Sequence, residues 1–111
     1  MKAKPDTTAP QTIAHNTAAS GAASIITLPA VSGERYVLDY IAWSYAGTPT
    51  SGNIEVNDAT NSVILYELDI TVGGPGHALF PERGLLCPTG ASIVITLANG
   101  LQTKHLNIAY R

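Results

Sequence analysis

Charge is what this sequence has least of. Only 13% of its 111 residues are Asp, Glu, Lys or Arg, about half the usual share for a globular protein. The few charges are also unevenly placed, with none from Thr7 to Gly33 and none from Gly84 to Thr103. A small domain normally relies on charged side chains to keep its surface in water. So sparse a set implies that another protein covers part of the outside, the alternative being a solvated surface rich in Thr, Ser and Asn. Lys and Arg are scattered singly in a chain of net charge −2. Nothing in that pattern neutralises a phosphate backbone, which argues against nucleic acid as a partner.

Cysteine is the next scarcity. Cys87 stands alone, which excludes an internal disulfide. It falls among Leu85, Leu86 and Pro88, where a small buried thiol is the expected occupant. Long apolar runs are missing too. "MKAKPDTTAP" carries basic residues with no apolar stretch behind them, so it does not read as a secretory signal. Pro88, Gly90 and Gly100 interrupt the uncharged stretch 84–103, which excludes a membrane span there. The expectation is a protein made in the cytoplasm, with no membrane partner.

What is present is strand chemistry. Val, Ile, Thr and Tyr dominate the apolar set and alternate with polar residues at period two, with Gly, Pro and Asn between the runs. The spacing predicts an all-β fold: an antiparallel β-sandwich, jelly-roll-like, of about 7–8 strands. Residues 1–22 read as an extended N-terminal arm, with "QTIAHN" as a short edge strand within it, and 23–111 as a single sandwich domain. "SIVITLA-NG-LQTKHLNIAYR" has Asn99-Gly100 between two alternating runs, a hairpin signal. It would pair Ala98 with Leu101, Ile95 with Lys104 and Ile93 with Leu106. A second hairpin is expected at "GNIEVNDATNSVILYELDI", turning at 58–61. The strand over 34–46 is apolar on both parities, with Tyr36, Leu38, Tyr40 and Ala42 on one side and Val37, Ile41, Trp43 and Tyr45 on the other. A strand apolar on both faces has the core behind it and something else in front. A neighbouring subunit is the preferred candidate.

Catalytic signals are weak. His15, His77, His105 and Cys87 have no two members at zinc-site spacing and fall in different elements, so no metal or cofactor is expected. No G-x-S-x-G elbow is present. Asp39, Glu67 and Asp69 form a carboxylate group only if the strands at 34–46 and 62–70 are neighbours, and acids on a solvated strand explain them equally. "GGPG" at 73–76 lacks the Lys and helix of a phosphate loop and reads as a tight turn. "HALFP" and "LLCP" read as short strands on either side of a turn at Glu82-Arg83-Gly84. Tyr36, Tyr40, Trp43 and Tyr45 sit on one strand and split between its faces, which favours packing over a sugar platform. No enzyme is expected.

The order of parts does resemble a known group. Gly73-Gly74, Pro81, Gly84-Leu85, Pro88-Thr89-Gly90, the run Ile93-Val94-Ile95-Thr96-Leu97 and the closing Tyr110-Arg111 are similar to a turn-and-strand pattern of small all-β structural proteins of tailed bacteriophages. The resemblance covers residues 33–111. It implies a jelly-roll-like sandwich that trimerises and decorates the capsid exterior of a virion as a cement protein, with the major capsid protein as partner. Sister proteins of similar shape imply the alternative, a head- or tail-fibre component that binds a receptor or carbohydrate. On these grounds Ile13, His15, Val37, Ile41, Trp43, Tyr45 and His105 are the expected residues of a subunit or capsid interface.

Overall fold

In the computed structural model, which describes residues 10–111, the described chain contains nine strands and no helix. They are β1 (Thr12–Ala18), β2 (Ser24–Leu28), β3 (Val37–Tyr45), β4 (Gly52–Asp58), β5 (Val63–Ile70), β6 (Gly74–Leu79), β7 (Leu85–Leu86), β8 (Ile93–Leu97) and β9 (Lys104–Tyr110). Sheet A runs β1-β9-β3-β6, with the short β7 also paired to β3; sheet B runs β2-β8-β4-β5. β4 pairs with β5, β3 with β6, β2 with β8 and β1 with β9, all antiparallel. These are the rungs of one long hairpin, rolled so that successive rungs fall in opposite sheets. That is the jelly roll.

Period-two patterning builds the interior. Ile93, Ile95 and Leu97 of β8 and Ile54 and Val56 of β4 line the inner face of sheet B; Leu106 and Ile108 of β9 and Ile41, Trp43 and Tyr45 of β3 line that of sheet A. A bulge between Leu38 and Tyr40 shifts the parity of β3, so Leu38 joins Ile41, Trp43 and Tyr45 in the core. The side bearing Ile41, Trp43 and Tyr45 is therefore covered by the chain's own sheet B, while Tyr40 and Ala42 fall on the outer face of sheet A.

The hairpin expected at Asn99-Gly100 does not form. β8 pairs with β2 and β4, whereas β9 pairs with β1 and β3. The turn carries the chain across from one sheet to the other. Ile93, Ile95, Leu97, Leu106 and Ile108 are all buried, as alternation requires, but they meet face to face through the core. The crossing is held by the Tyr45 hydroxyl, which donates to the carbonyl of Ala98 at 2.6 Å. The side-chain oxygen of Asn99 accepts from the backbone N–H groups of Leu101 at 3.1 Å and Gly21 at 2.9 Å. The hairpin at 52–70 does form. The Asp58 carboxylate closes its turn, accepting from the Asn61 backbone N–H at 3.0 Å and from Asn61 Nδ2 at 2.8 Å.

The edge strand expected within the arm forms and runs two residues further than "QTIAHN". Thr12–Ala18 is the edge strand of sheet A, paired with β9 along its length. Its alternating Ile13, His15 and Thr17 face out, and Ala14, Asn16 and Ala18 face in. Residues 1–9 of the expected arm lie outside the described residues.

Candidate interaction surface

All four connections at one end of the sandwich, here the upper end, cross between sheets: 19–23, 46–51, 71–73 and 98–103. None holds a charged residue. Lys104 lies beneath them, fully buried, with Nζ donating to the carbonyls of Ala19 at 2.9 Å and Ala22 at 2.6 Å. Burial pushes this ammonium below its ordinary pKa. The lower connections carry Glu34, Arg35, Glu82 and Arg83. At that end Arg111 makes a two-pronged ion pair with Asp39, and Gln11 Nε2 donates to the same carboxylate at 2.7 Å.

The outer faces of the two sheets differ as sharply. On sheet B, Glu55 is the register partner of Glu67, and Asn53 of Asp69. Asn53 Nδ2 donates to Glu67 at 3.3 Å and Asp69 at 3.0 Å. On sheet A the registers define three rows across all four long strands: Ile13–Ala109–Tyr40–Leu79, His15–Asn107–Ala42–His77 and Thr17–His105–Ser44–Pro75. These twelve positions hold no Asp, Glu, Lys or Arg. They do hold all three histidines of the chain. The central strands contribute Ala109, Asn107 and His105 from β9 and Tyr40, Ala42 and Ser44 from β3. The face runs from Ile13 and His15 on one edge to His77 and Leu79 on the other. Ile13 is 55% exposed and Leu79 64%. His105 Nδ1 lies 2.9 Å from the Thr17 hydroxyl.

The expected interface residues divide accordingly. Ile13, His15 and His105 lie together on this outer face. Val37, Ile41, Trp43 and Tyr45 are buried within the chain, the last three between the sheets and Val37 beside the loop at Gly84. Tyr40, Ala42, His77 and Leu79 belong to the same face. Sequence reasoning separated them because they arrive from strands far apart in the chain. The signal that finds them is the uncharged outer parity of each strand once the sheet order is known.

The other candidates do not converge. Asp39 is on sheet A and Glu67 and Asp69 on sheet B, so the three carboxylates do not meet. Among the described residues no group of three or more His, Cys, Asp or Glu is placed to hold a metal. The three histidines share a face without clustering, since two strands separate His15 from His77. Cys87 is fully buried, and burial pushes its thiol up to about 11. Tyr36 packs edge-on against Tyr110, and with Trp43 and Tyr45 inside, the aromatic set presents no platform. No described helix is long and apolar enough to cross a membrane.

No family model and no curated protein matches the chain by sequence. Solved structures resemble it in shape. The Drosophila NLP core, whose structure was described for pentamer formation and histone binding, superposes at a TM-score of 0.52 with 14% identity, over 89% of this chain and 97% of that one. The K3 cleaved adhesin domain of Lys-gingipain from Porphyromonas gingivalis superposes at 0.52 with 12% identity, over 88% and 70%. Particles of Macrobrachium rosenbergii extra small virus give a TM-score of 0.39 with 11% identity, over 91% and 76%; that score is too low to bear on the fold. At such identities the first two likenesses concern the fold alone.

Proposed function

We propose that this chain is a virion structural protein: a decoration, or cement, protein that binds the exterior of a tailed-phage capsid as a homotrimer, with the major capsid protein as its partner. It is made in the host cytoplasm and catalyses nothing. The observation that carries this reading is that, among the described residues, the three outward rows of sheet A and the four upper loops hold no charged residue. A protein that works free in solution gains nothing from such a surface; one that lies against other proteins does. The jelly roll, a fold that capsid and lectin domains use, and the phage-like turn pattern over residues 33–111 support the same reading.

The physics of the role is mass action. A protein that binds the assembled shell and not its unfolded subunits adds RT ln(1 + [L]/Kd) to shell stability, about 2.7 kcal/mol per site when free protein stands at roughly 100 times its Kd. A trimer multiplies modest contacts through avidity. A fibre component that binds carbohydrate through the Tyr/Trp set is the weaker reading, because Trp43 and Tyr45 are in the core. Cryo-electron microscopy of the phage particle tests the proposal. Density for this jelly roll on the capsid exterior supports it; a bare shell after incubation with excess protein overturns it.

A further inference from the structure

Glu55 and Glu67 are register partners on β4 and β5. Like charges directly opposite each other destabilise a sheet. Asp69 lies two residues beyond Glu67 and so shares its face. Asn53 Nδ2 donates to both of these carboxylates, at 3.3 Å and 3.0 Å. The four strands of sheet B contain no Lys or Arg to offset the three acids. The cations among the described residues are elsewhere. Lys104 is buried at the upper end, Arg111 is paired with Asp39, Arg35 Nε donates to the Cys87 carbonyl at 3.1 Å, and Arg83 is in a lower connection. The sequence holds two more, Lys2 and Lys4.

β5 is also the edge of sheet B, bonded among the described residues to β4 alone. It is eight residues long, and Val63, Ile64 and Leu68 on it are exposed. A long, partly apolar edge is a template for one more strand, which main-chain hydrogen bonds would hold. The only charges on β5 are Glu67 and Asp69, so the strand that complements it carries cations. Beside Asp69 a cleft of about 420 Å³, lined also by Asn53, Pro49 and Thr71, leaves room for a long side chain.

We infer that the free edge of β5 takes residues 2–9 of a second copy of this chain as an added strand, with Lys2 and Lys4 against Asp69 and Glu67. The spacing matches. Lys2 and Lys4 are two residues apart, as are Glu67 and Asp69, and residues two apart share a face of a strand. Set antiparallel with Lys2 beside Asp69 and Lys4 beside Glu67, the segment brings Asp6 beside Leu65, clear of the acids. Pro5 has no N–H to give, and an edge strand is where proline is tolerated. The chain's own segment does not reach. β1 lies over β2, at the far side of the sandwich from β5. A strand added beyond β5 stands four spacings of about 4.8 Å across from that line and about 10 Å away through the core. The six residues from Thr12 to Asp6 span at most about 21 Å. A straight line through the core already uses that length, and the chain must go around it. The segment therefore belongs to a neighbour. This goes beyond the decoration role and does not depend on it.

Two full-length variants test this without any shell. Glu67→Lys with Asp69→Lys keeps Lys2 and Lys4 but removes the edge that receives them. Lys2→Glu with Lys4→Glu keeps the acidic edge but has no cation to offer it. Glu67 and Asp69 are exposed, so the fold is kept. Each variant, their mixture and the wild type are treated at low salt with a carbodiimide, which couples an amine to a carboxylate in contact with it, and the products are identified by mass spectrometry. Neither variant alone should join residues 2 or 4 to residues 67 or 69. The mixture should join Lys2 or Lys4 of one chain to Glu67 or Asp69 of the other, a product that only two chains can make. The wild type should give the same product, and raising the salt should lower its yield severalfold. Absence of the product from the mixture overturns the inference, and if the wild type still forms it, the segment has folded onto its own chain. A yield that ignores salt overturns the charge match. Failure to find this protein on a phage particle would leave every one of these outcomes unchanged.

Discussion

The indole of Trp43 occupies the space that a side chain on Gly76 would need. A Cβ at Gly76 would meet Cε2 and Nε1 of the ring at 2.6 Å. The two residues are register partners on β3 and β6. Glycine normally weakens a strand interior and often marks a close approach; here what approaches is the ring. Gly76→Ala overpacks the site, and a loss of about 1–3 kcal/mol is expected. Thermal or denaturant unfolding reads it directly, and an unchanged midpoint would mean that the ring can move aside.

Asp39 and Arg111 join the bulged start of β3 to the last rung of sheet A. Arg111 Nε donates to Asp39 Oδ2 at 2.9 Å, and a second guanidinium nitrogen reaches Oδ1. The backbones of Arg111 and Val37 also exchange two hydrogen bonds, each of 2.9 Å. Removing one partner takes this two-pronged contact away from a mostly buried charge. Arg111→Gln and Asp39→Asn should each cost about 1–3 kcal/mol. The double variant should cost less than the sum, with a coupling of about 0.5–3 kcal/mol. Additive losses in a denaturant series would show that the pair is not coupled.

Cys87 should be silent toward thiol reagents in the native protein at neutral pH and should react fully once the chain is unfolded. Burial is the main cause, raising the thiol from 9.0 to about 11, so almost no thiolate forms. The same shift has a consequence at alkaline pH. The unfolded thiol loses its proton first, so its contribution is intact below pH 9.0 and is lost as pH rises toward 11. Cys87→Ala should therefore show a shallower fall in stability across that range. Equal slopes for the variant and the wild type would remove Cys87 from the account.

Lys104 works in the opposite direction. Its folded pKa is lowered from 10.5 by desolvation. Below the folded value both states carry the proton, and the burial cost is present in full. Above it the folded state sheds the proton while the unfolded state keeps it, so stability rises with pH up to 10.5. Measured against Lys104→Met, the wild type should gain ground as pH climbs through this window. A constant gap between the two would show that Nζ stays as well solvated in the fold as outside it.

What the sequence determined by itself was the buried parity of β8 and β9 and the place of most strands, although "GGPG", read as a tight turn, supplies the first residues of β6. Alternation at Ile93, Ile95, Leu97, Leu106 and Ile108 placed five residues in the core, and "DATN" marked the one hairpin that joins neighbours in a sheet. Period two says which face is buried but not where the strand's edge hydrogen bonds go, because a backbone ladder forms equally well with any strand of matching length. That choice was made by the tertiary structure, where burying both apolar faces against each other sent β8 and β9 to opposite sheets and turned Asn99-Gly100 into a crossing. The same packing drew Ile41, Trp43 and Tyr45 inward. It also gathered His15, His77 and His105 from three distant segments onto one neutral face. No local pattern could have shown this, since the face exists only once sheet order has set β1, β9, β3 and β6 side by side.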